Sequence, residues 1–323
     1  MPGVHTVTAA LLTAIVAVTA ACGGTSPAPT GTSDRAATTT TDGPPADEGD
    51  GGRTDTSASA SGQLLPGPDD VAYQELSALI GPDHAIAVAA LTGDPAPSLS
   101  VATLGPLATA VAWSTIKVPM AMAVIEEGGG VSHADDIQRA LTASDNDAAM
   151  RLWQFLGGGA PAAEAVTARL RAAGDRRTTI ESQEVYRPYS PYGQTRWALA
   201  DQARFALRMR CSAAGPPVDA AMREVVADQR WGLGTVGPDV AFKGGWGPGT
   251  EPGVAGSYLV RQFGVLTIDG RDVGVAIASK PADGTFDGGT RDLTAITTWL
   301  SDNLAPEAIG SGDPCEAEVE PGG

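Results

Sequence analysis

Several residue types are scarce in this chain of 323 residues. It has three cysteines, three histidines and three lysines, and aromatic side chains make up 5% of it. Three cysteines cannot build a disulfide scaffold. With no CxxC or HExxH string present, no metal site is expected, and no cofactor is called for. Basic residues are few as well, 21 against 38 acidic, for a formal charge of −17. That balance excludes nucleic acid as the expected partner, because phosphate binding needs a basic patch. The acid excess lies largely at the ends. Gly23 to Gly62 holds six acids and two Arg, Ser301 to Gly323 holds six acids and no base, and the part between carries a net −7. The extreme acidity therefore belongs to ends expected to be solvated and says little about a ligand. Hydrophobic residues, at 42%, suffice for a sizeable core. Glycine (41) and proline (24) are abundant and crowd into the first sixty or so and last fifteen residues.

Ala9 to Val18 is a ten-residue apolar run ending in Thr19-Ala20-Ala21 and Cys22. It is too short for a permanent membrane span, which needs roughly 20 residues, but it suits a signal peptide over 1–21. The small-small-Cys ending resembles a bacterial lipobox, with Cys22 as the lipidated residue. Ordinary cleavage with an incidental Cys22 is the alternative. Residues 22–62, rich in Gly, Ser, Thr, Pro and Asp, cannot offset their ordering entropy by burial and read as a flexible tether. The expected location is outside the cell, anchored by lipid to the outer face of the bacterial cytoplasmic membrane. In that oxidising setting Cys211 and Cys315 can pair and pin the acidic tail, 304–323, to the domain; two free thiols are the alternative.

The foldable part, 63–303, is expected to be a monomeric domain. Val71 to Ile80 reads as a helix with Val71, Leu76, Leu79 and Ile80 on one side. Ala85 to Leu91 and Leu99 to Leu104 read as strands. Ile116 to Ile125 reads as a buried helix stopped by Gly128-Gly129-Gly130. Further helices are expected over His133 to Ala143, Asp147 to Leu156, Ala162 to Ala173 and Trp197 to Arg210, with an irregular stretch, Thr178 to Thr195, before the last. Ala241 to Gly244, Ser257 to Ile268 and Arg271 to Ser279 then read as strands, the last two joined by an Asp269-Gly270 hairpin turn. Thr290 to Leu300 closes the domain as a helix. Strands at both ends and helices between predict an α+β fold: an antiparallel sheet built from both ends, flanked by helices, with a helical lobe inserted.

Three strings carry chemistry: Ser114-Thr115-Ile116-Lys117, Ser144-Asp145-Asn146 and Lys243-Gly244-Gly245. Two of the three lysines fall within them, in a chain with eighteen arginines. A desolvated Lys can lose its proton and act as a base, whereas Arg cannot. Residues three apart share a helix face, so Ser114 at a helix start can meet Lys117 and feel the positive end of the dipole. A neutral Lys117 could then take the Ser114 proton during attack on a carbonyl. Each string alone has a plainer reading. Ser114 could be an N-cap beside a snorkelling Lys, Ser144 could cap the helix from Asp147, and Lys-Gly-Gly could be a turn. Their joint occurrence in this order is the specific signal.

In these strings the chain resembles the class A β-lactamases and penicillin-binding proteins, whose SxxK, SDN and KTG motifs occur in the same order. The resemblance covers about Gln63 to Asn303 and extends through Ser144–Ala149, Phe155–Gly158 and Gly174-Asp175. It implies a serine acyl-transfer site. Ser114 would be the nucleophile, and Lys117 its base or part of a proton relay with Ser144. Asn146 would hold the substrate amide. Lys243 would attract a substrate carboxylate, beside Gly245 in the substrate-binding strand. The N–H groups of Ser114 and Trp246 would form the oxyanion hole. Glu184 falls at the Ω-loop glutamate and would activate the deacylating water. The implied substrates are β-lactams or peptidoglycan-derived amides.

Three departures bear on function. Gly244 replaces the Thr whose hydroxyl would bind a carboxylate, which weakens that recognition. The gap from Ser114 to Ser144 is short, so the helical lobe must be trimmed. Pro188 stands where an Asn would seat the deacylating water. Two competing functions follow: a D-Ala-D-Ala peptidase that releases its acyl group slowly, and a non-catalytic lipoprotein that binds wall fragments in a degenerate cleft. Tyr186, Tyr189, Tyr192 and Trp197 form either a local loop core or a wall over the cleft. His84 and His133 read as structural or surface residues.

Overall fold

The computed structural model describes residues 63–93, 95–249 and 257–317. The expected signal segment, the tether and Cys22 lie outside the described residues. The main sheet contains β1 (His84–Thr92), β2 (Ser98–Leu104), β5 (Ala241–Pro248), β6 (Tyr258–Ile268) and β7 (Arg271–Ser279), in the order β2-β1-β7-β6-β5. Every pairing is antiparallel, and β1 from the start of the domain meets β7 from its end, with Val88 opposite Val275. This is the antiparallel sheet from both ends that the sequence predicts. A separate two-stranded ribbon pairs β3 (Thr109–Val111) with β4 (Arg196–Ala198).

The two faces of β1 explain its apolar run. Ala85, Ala87 and Ala89 face one core, which includes α6 (Leu199–Arg208), and their small side chains let that helix approach the sheet. Ile86, Val88 and Ala90 face the other core, under α1 (Val71–Ile80) and α8 (Phe286–Asn303). A strand covered on both sides reads as continuous rather than alternating hydrophobicity. Each large apolar side chain so buried contributes about 1.5–3 kcal/mol.

The helical lobe consists of α2 (Lys117–Val124), α3 (Ala134–Thr142), α4 (Asn146–Phe155), α5 (Gly159–Ala172) and α7 (Gly215–Arg223). All eight residues of α2 are buried, and it packs against each of the other four. Beyond Lys117 at its start, the helix is apolar all round, and such a helix belongs at the centre of a lobe.

Four expectations need correction. Val71 and Leu79 are exposed, while Tyr73 joins Leu76 and Ile80 inside. Trp197 lies in β4, so the helix starts two residues later, at Leu199. α4 begins at Asn146 and is capped by Asp145, whose carboxylate accepts from the Ala148 N–H at 2.9 Å. Finally, the start of the acidic tail, 304–310, packs on the domain instead of standing in solvent, while most of 311–317 is exposed. Leu304, Ala308 and Ile309 are buried, Gly310 N–H donates to Leu91 O at 2.7 Å, and Cys315 is bonded to Cys211. Apolar side chains among the acids give that segment something to bury.

Candidate active site

β3 runs into a 3₁₀ turn, Trp113–Ile116, which feeds directly into α2. Ser114 sits in this turn, and the N–H of Lys117 donates to the carbonyls of Ser114 and Thr115. The turn is braced from below. Thr115 Oγ1 donates to Ala112 O at 2.6 Å and accepts from Gln202 Nε2 at 3.0 Å. Gln202 Oε1 in turn accepts from Arg261, which also donates to the carbonyls of Ala110 and Val111 in β3 and Trp197 in β4. Burial lowers the Arg261 pKa to about 9. Its charge is spread over carbonyl and amide oxygens at the base of the Ser114 turn.

Lys117 is 1% exposed and donates to three oxygens: Ser144 O at 2.6 Å, Asn146 Oδ1 at 2.8 Å and Asp145 O at 3.3 Å. Burial lowers its pKa to about 7, against a smaller raising effect of Asp145. Lys243, on β5, is fully buried and donates to Ser144 Oγ and to Gly244 O, both at 2.9 Å. Burial, and then the charge of Lys117, push its pKa well below the usual lysine range. Ser144 is thus held by one lysine through its carbonyl and by the other through its hydroxyl. It does not cap α4, since Asp145 does that, braced by Arg139.

Three non-glycine residues have positive φ among the described residues: Trp113 (47°), Ser144 (58°) and Asp269 (50°). Asp269 belongs to the Asp-Gly hairpin turn, where such angles are favoured. The other two lie in no hairpin turn that favours such an angle. Each costs on the order of 1–3 kcal/mol, and such strain collects at functional sites. One lies next to Ser114, and the other is the residue both lysines hold.

A cleft of about 570 Å³ is lined by Ser114, Lys117, Asn146, Glu184 and Trp246, together with Asp147, Trp113, Tyr189, Tyr192 and Tyr258. Ser144, Lys243 and Gly245 are not among its lining residues. Lys243 reaches the Ser144 hydroxyl from β5. Gly245 serves packing, because a Cβ there would lie 2.8 Å from Ala112 O and 2.9 Å from Ser114 N. β5 is the edge strand, so alternate N–H groups on its free side are not used by the ladder. Glu184 is exposed, and its carboxylate pairs with Arg187 Nε at 3.1 Å. At Gly244 a Cβ would lie 3.1 Å from the Trp231 ring, so the indole fills the space beside the missing side chain.

The aromatic stretch divides between the two roles expected of it. Trp197 is core, against Phe205 and Phe263; Tyr189 lines the cleft and packs edge-on against Trp113 at 5.1 Å; Tyr192 lines it and packs on Trp153. Gln194 pins the loop by accepting from Tyr186 N and donating to Tyr189 O. His84 is a buried structural residue between Gly81 O and the Tyr73 hydroxyl, and His133 packs on Phe155. Among the described residues no group of acids, histidines and cysteines could hold a metal ion.

No protein-family model and no curated protein sequence matches the chain. Its fold is similar to solved class A β-lactamases. One from Mycobacterium abscessus has a TM-score of 0.52 at 17% identity, over 71% of this chain and 96% of that one. One from Bacteroides cellulosilyticus has a TM-score of 0.55 at 14% identity, over 72% and 96%. The TLA-3 extended-spectrum β-lactamase has a TM-score of 0.55 at 12% identity, over 72% and 99%. At these identities the likeness is one of fold.

Proposed function

We propose that the protein is a serine hydrolase that forms an acyl-enzyme on Ser114 with β-lactams or related amides. The observation that carries this reading is the convergence of Lys117 and Lys243 on Ser144, beside a cleft that Ser114 and Lys117 both line. A neutral Lys117 has two N–H groups and one lone pair. Its two short donations, to Ser144 O and Asn146 Oδ1, can be kept, while the 3.3 Å contact to Asp145 O is the one released. The lone pair takes the Ser114 proton as Oγ attacks the substrate carbonyl. The oxyanion is received by the N–H groups of Ser114 and Trp246, donors worth about 3–4 kcal/mol each at the transition state. Ser144, held by Lys243, relays the proton to the leaving nitrogen. Glu184 orients the water that releases the acyl group.

The Glu184–Arg187 ion pair favours a second reading, that of a peptidase on D-Ala-D-Ala ends whose acyl-enzyme turns over slowly, because the carboxylate is already partnered. The Cys211–Cys315 bond supports an exported domain, and the lipid tether at Cys22 is part of the same proposal. Intact-mass analysis after exposure to penicillin and to a neutral activated ester tests the reading. One acyl adduct that disappears in Ser114→Ala supports it, and its lifetime separates the two readings. An adduct that persists in a folded Ser114→Ala protein removes Ser114 from the mechanism. No adduct, with ligand binding that survives Ser114→Ala, points instead to a non-catalytic binding lipoprotein.

A further inference from the structure

The cleft offers an incoming anion little. Among the described lining residues Lys117 is the only one with a basic side chain, and its three donors are already directed at protein oxygens. Lys243 is fully buried and spends its contacts on Ser144 and Gly244. Gly244 supplies no hydroxyl, and Trp231 crowds the place where a side chain would start. The charges at the mouth are Asp147, Glu184 and the Arg187 that Glu184 already pairs. A carboxylate entering here would lose its hydration without gaining a cation and would meet like charge.

What the cleft offers instead is aromatic surface. Trp113 and Tyr189 pack edge to face at 5.1 Å. Trp246 and Tyr258 line it too, and both are backed by Phe286, at 5.4 and 6.4 Å. Trp231 stands behind Trp246 at 6.0 Å. Rings locked by other rings make a rigid apolar surface that binds a flat group with little loss of side-chain freedom.

We propose that the substrates are uncharged esters or amides bearing an aromatic acyl group, and that a carboxylate on the acyl group weakens reaction. This rests on the Ser114 acylation reading and narrows its substrate class. In the step concerned, Ser114 Oγ bonds to the carbonyl carbon, the bond to the leaving group breaks with its electron pair, and the Ser114 proton passes by way of Lys117 to that leaving group, which restores the neutral amine. Water then gives its hydroxyl to the acyl carbon and its proton to Oγ, which frees Ser114 and releases the acid.

The test compares p-nitrophenyl phenylacetate, p-nitrophenyl 4-carboxyphenylacetate and p-nitrophenyl acetate on the full chain, with intact mass to locate the acyl group. The neutral phenylacetate should exceed the carboxylated one in kcat/KM by on the order of tenfold or more, and it should exceed acetate. Tyr189→Ala and Tyr258→Ala should each shrink the phenylacetate-to-acetate ratio. A carboxylated ester that reacts as fast as the neutral one overturns the inference and leaves Ser114 acylation standing. An acetate preference in the wild-type protein does the same. If no ester acylates Ser114, the serine-hydrolase reading itself fails, and this inference with it.

Discussion

Lys243 Nζ donates to the hydroxyl of Ser144 at 2.9 Å across 99 residues of sequence. This one contact joins the edge strand of the sheet to the helical lobe at the residue whose carbonyl holds Lys117. Ser144 itself has φ 58°, an angle its side chain disfavours. The strain and the two lysine contacts therefore act on one residue.

Replacing Ser144 separates these effects. Ser144→Ala and Ser144→Gly both remove the hydroxyl that Lys243 holds, so both should lower the acylation rate by about 10²-fold or more. They should differ in stability. Glycine adopts positive φ without the Cβ penalty, so the Gly variant should be more stable than the Ala variant by about 1–2 kcal/mol. Urea denaturation of the pair checks this; equal midpoints would mean the turn relaxes in both.

The pKa of Lys117 sets a pH profile. Because burial lowers it to about 7, the amine is largely neutral above that pH and protonated below it. The base form is the active one, so acylation should fall tenfold per pH unit below about 7 and level off above it. The single-turnover rate from pH 5 to 9 reads this directly. Lys117→Arg should remove the ascending limb near pH 7 along with most of the rate, because a guanidinium keeps its proton well above the pH at which this lysine loses it.

How much of this was legible in the sequence depends on the range of the contacts. The SxxK spacing is a local helix property, and the strand-helix-strand layout follows from periodicity, so the sheet and the Ser114–Lys117 neighbourhood can be read from residues alone. The brace under the Ser114 turn cannot. Thr115 and Gln202 are 87 residues apart, and Gln202 and Arg261 are 59 apart. The only advance sign of it was an Arg inside the apolar strand Tyr258–Ile268. α7 escapes because Pro216 and Pro217 look like a break, though in a first helical turn they are tolerated. The β3–β4 ribbon has three residues per strand, too few for an alternation to show.

Gly245 is fixed by close approach. A Cβ there would press on Ala112 O and Ser114 N, both backbone atoms that cannot swing aside. Gly245→Ala should push β5 away from the Ser114 turn, costing on the order of 1–3 kcal/mol of stability. It should also lower acylation by about 10²-fold, because the Ser114 amide and the strand no longer meet correctly. A melting curve with single-turnover acylation checks both; full activity would show that the strand has room to move.

The Cys211–Cys315 bond closes a loop of 104 residues around α7 and the last three strands. Cutting it frees the unfolded chain and lets the segment carrying Leu304 and Ile309 fray. Cys315→Ser should lower stability by about 2–4 kcal/mol, as should reduction of the wild-type protein. Comparing denaturation with and without reductant tests this; a wild-type midpoint indifferent to reductant would rule out a stabilising bond.

In the proposed reaction Glu184 governs the lifetime of the acyl-enzyme. Its carboxylate lines the same cleft as Ser114, where water reaches it, but Arg187 holds one oxygen. Glu184→Gln keeps the shape and removes the base, so the acyl-enzyme should live at least about tenfold longer. Arg187→Ala frees both carboxylate oxygens for water and should shorten that lifetime. Time-resolved intact mass after a pulse of acyl donor measures both. If neither substitution changes the lifetime, deacylation does not pass through this carboxylate, and the slowly turning over peptidase becomes the better description of the site.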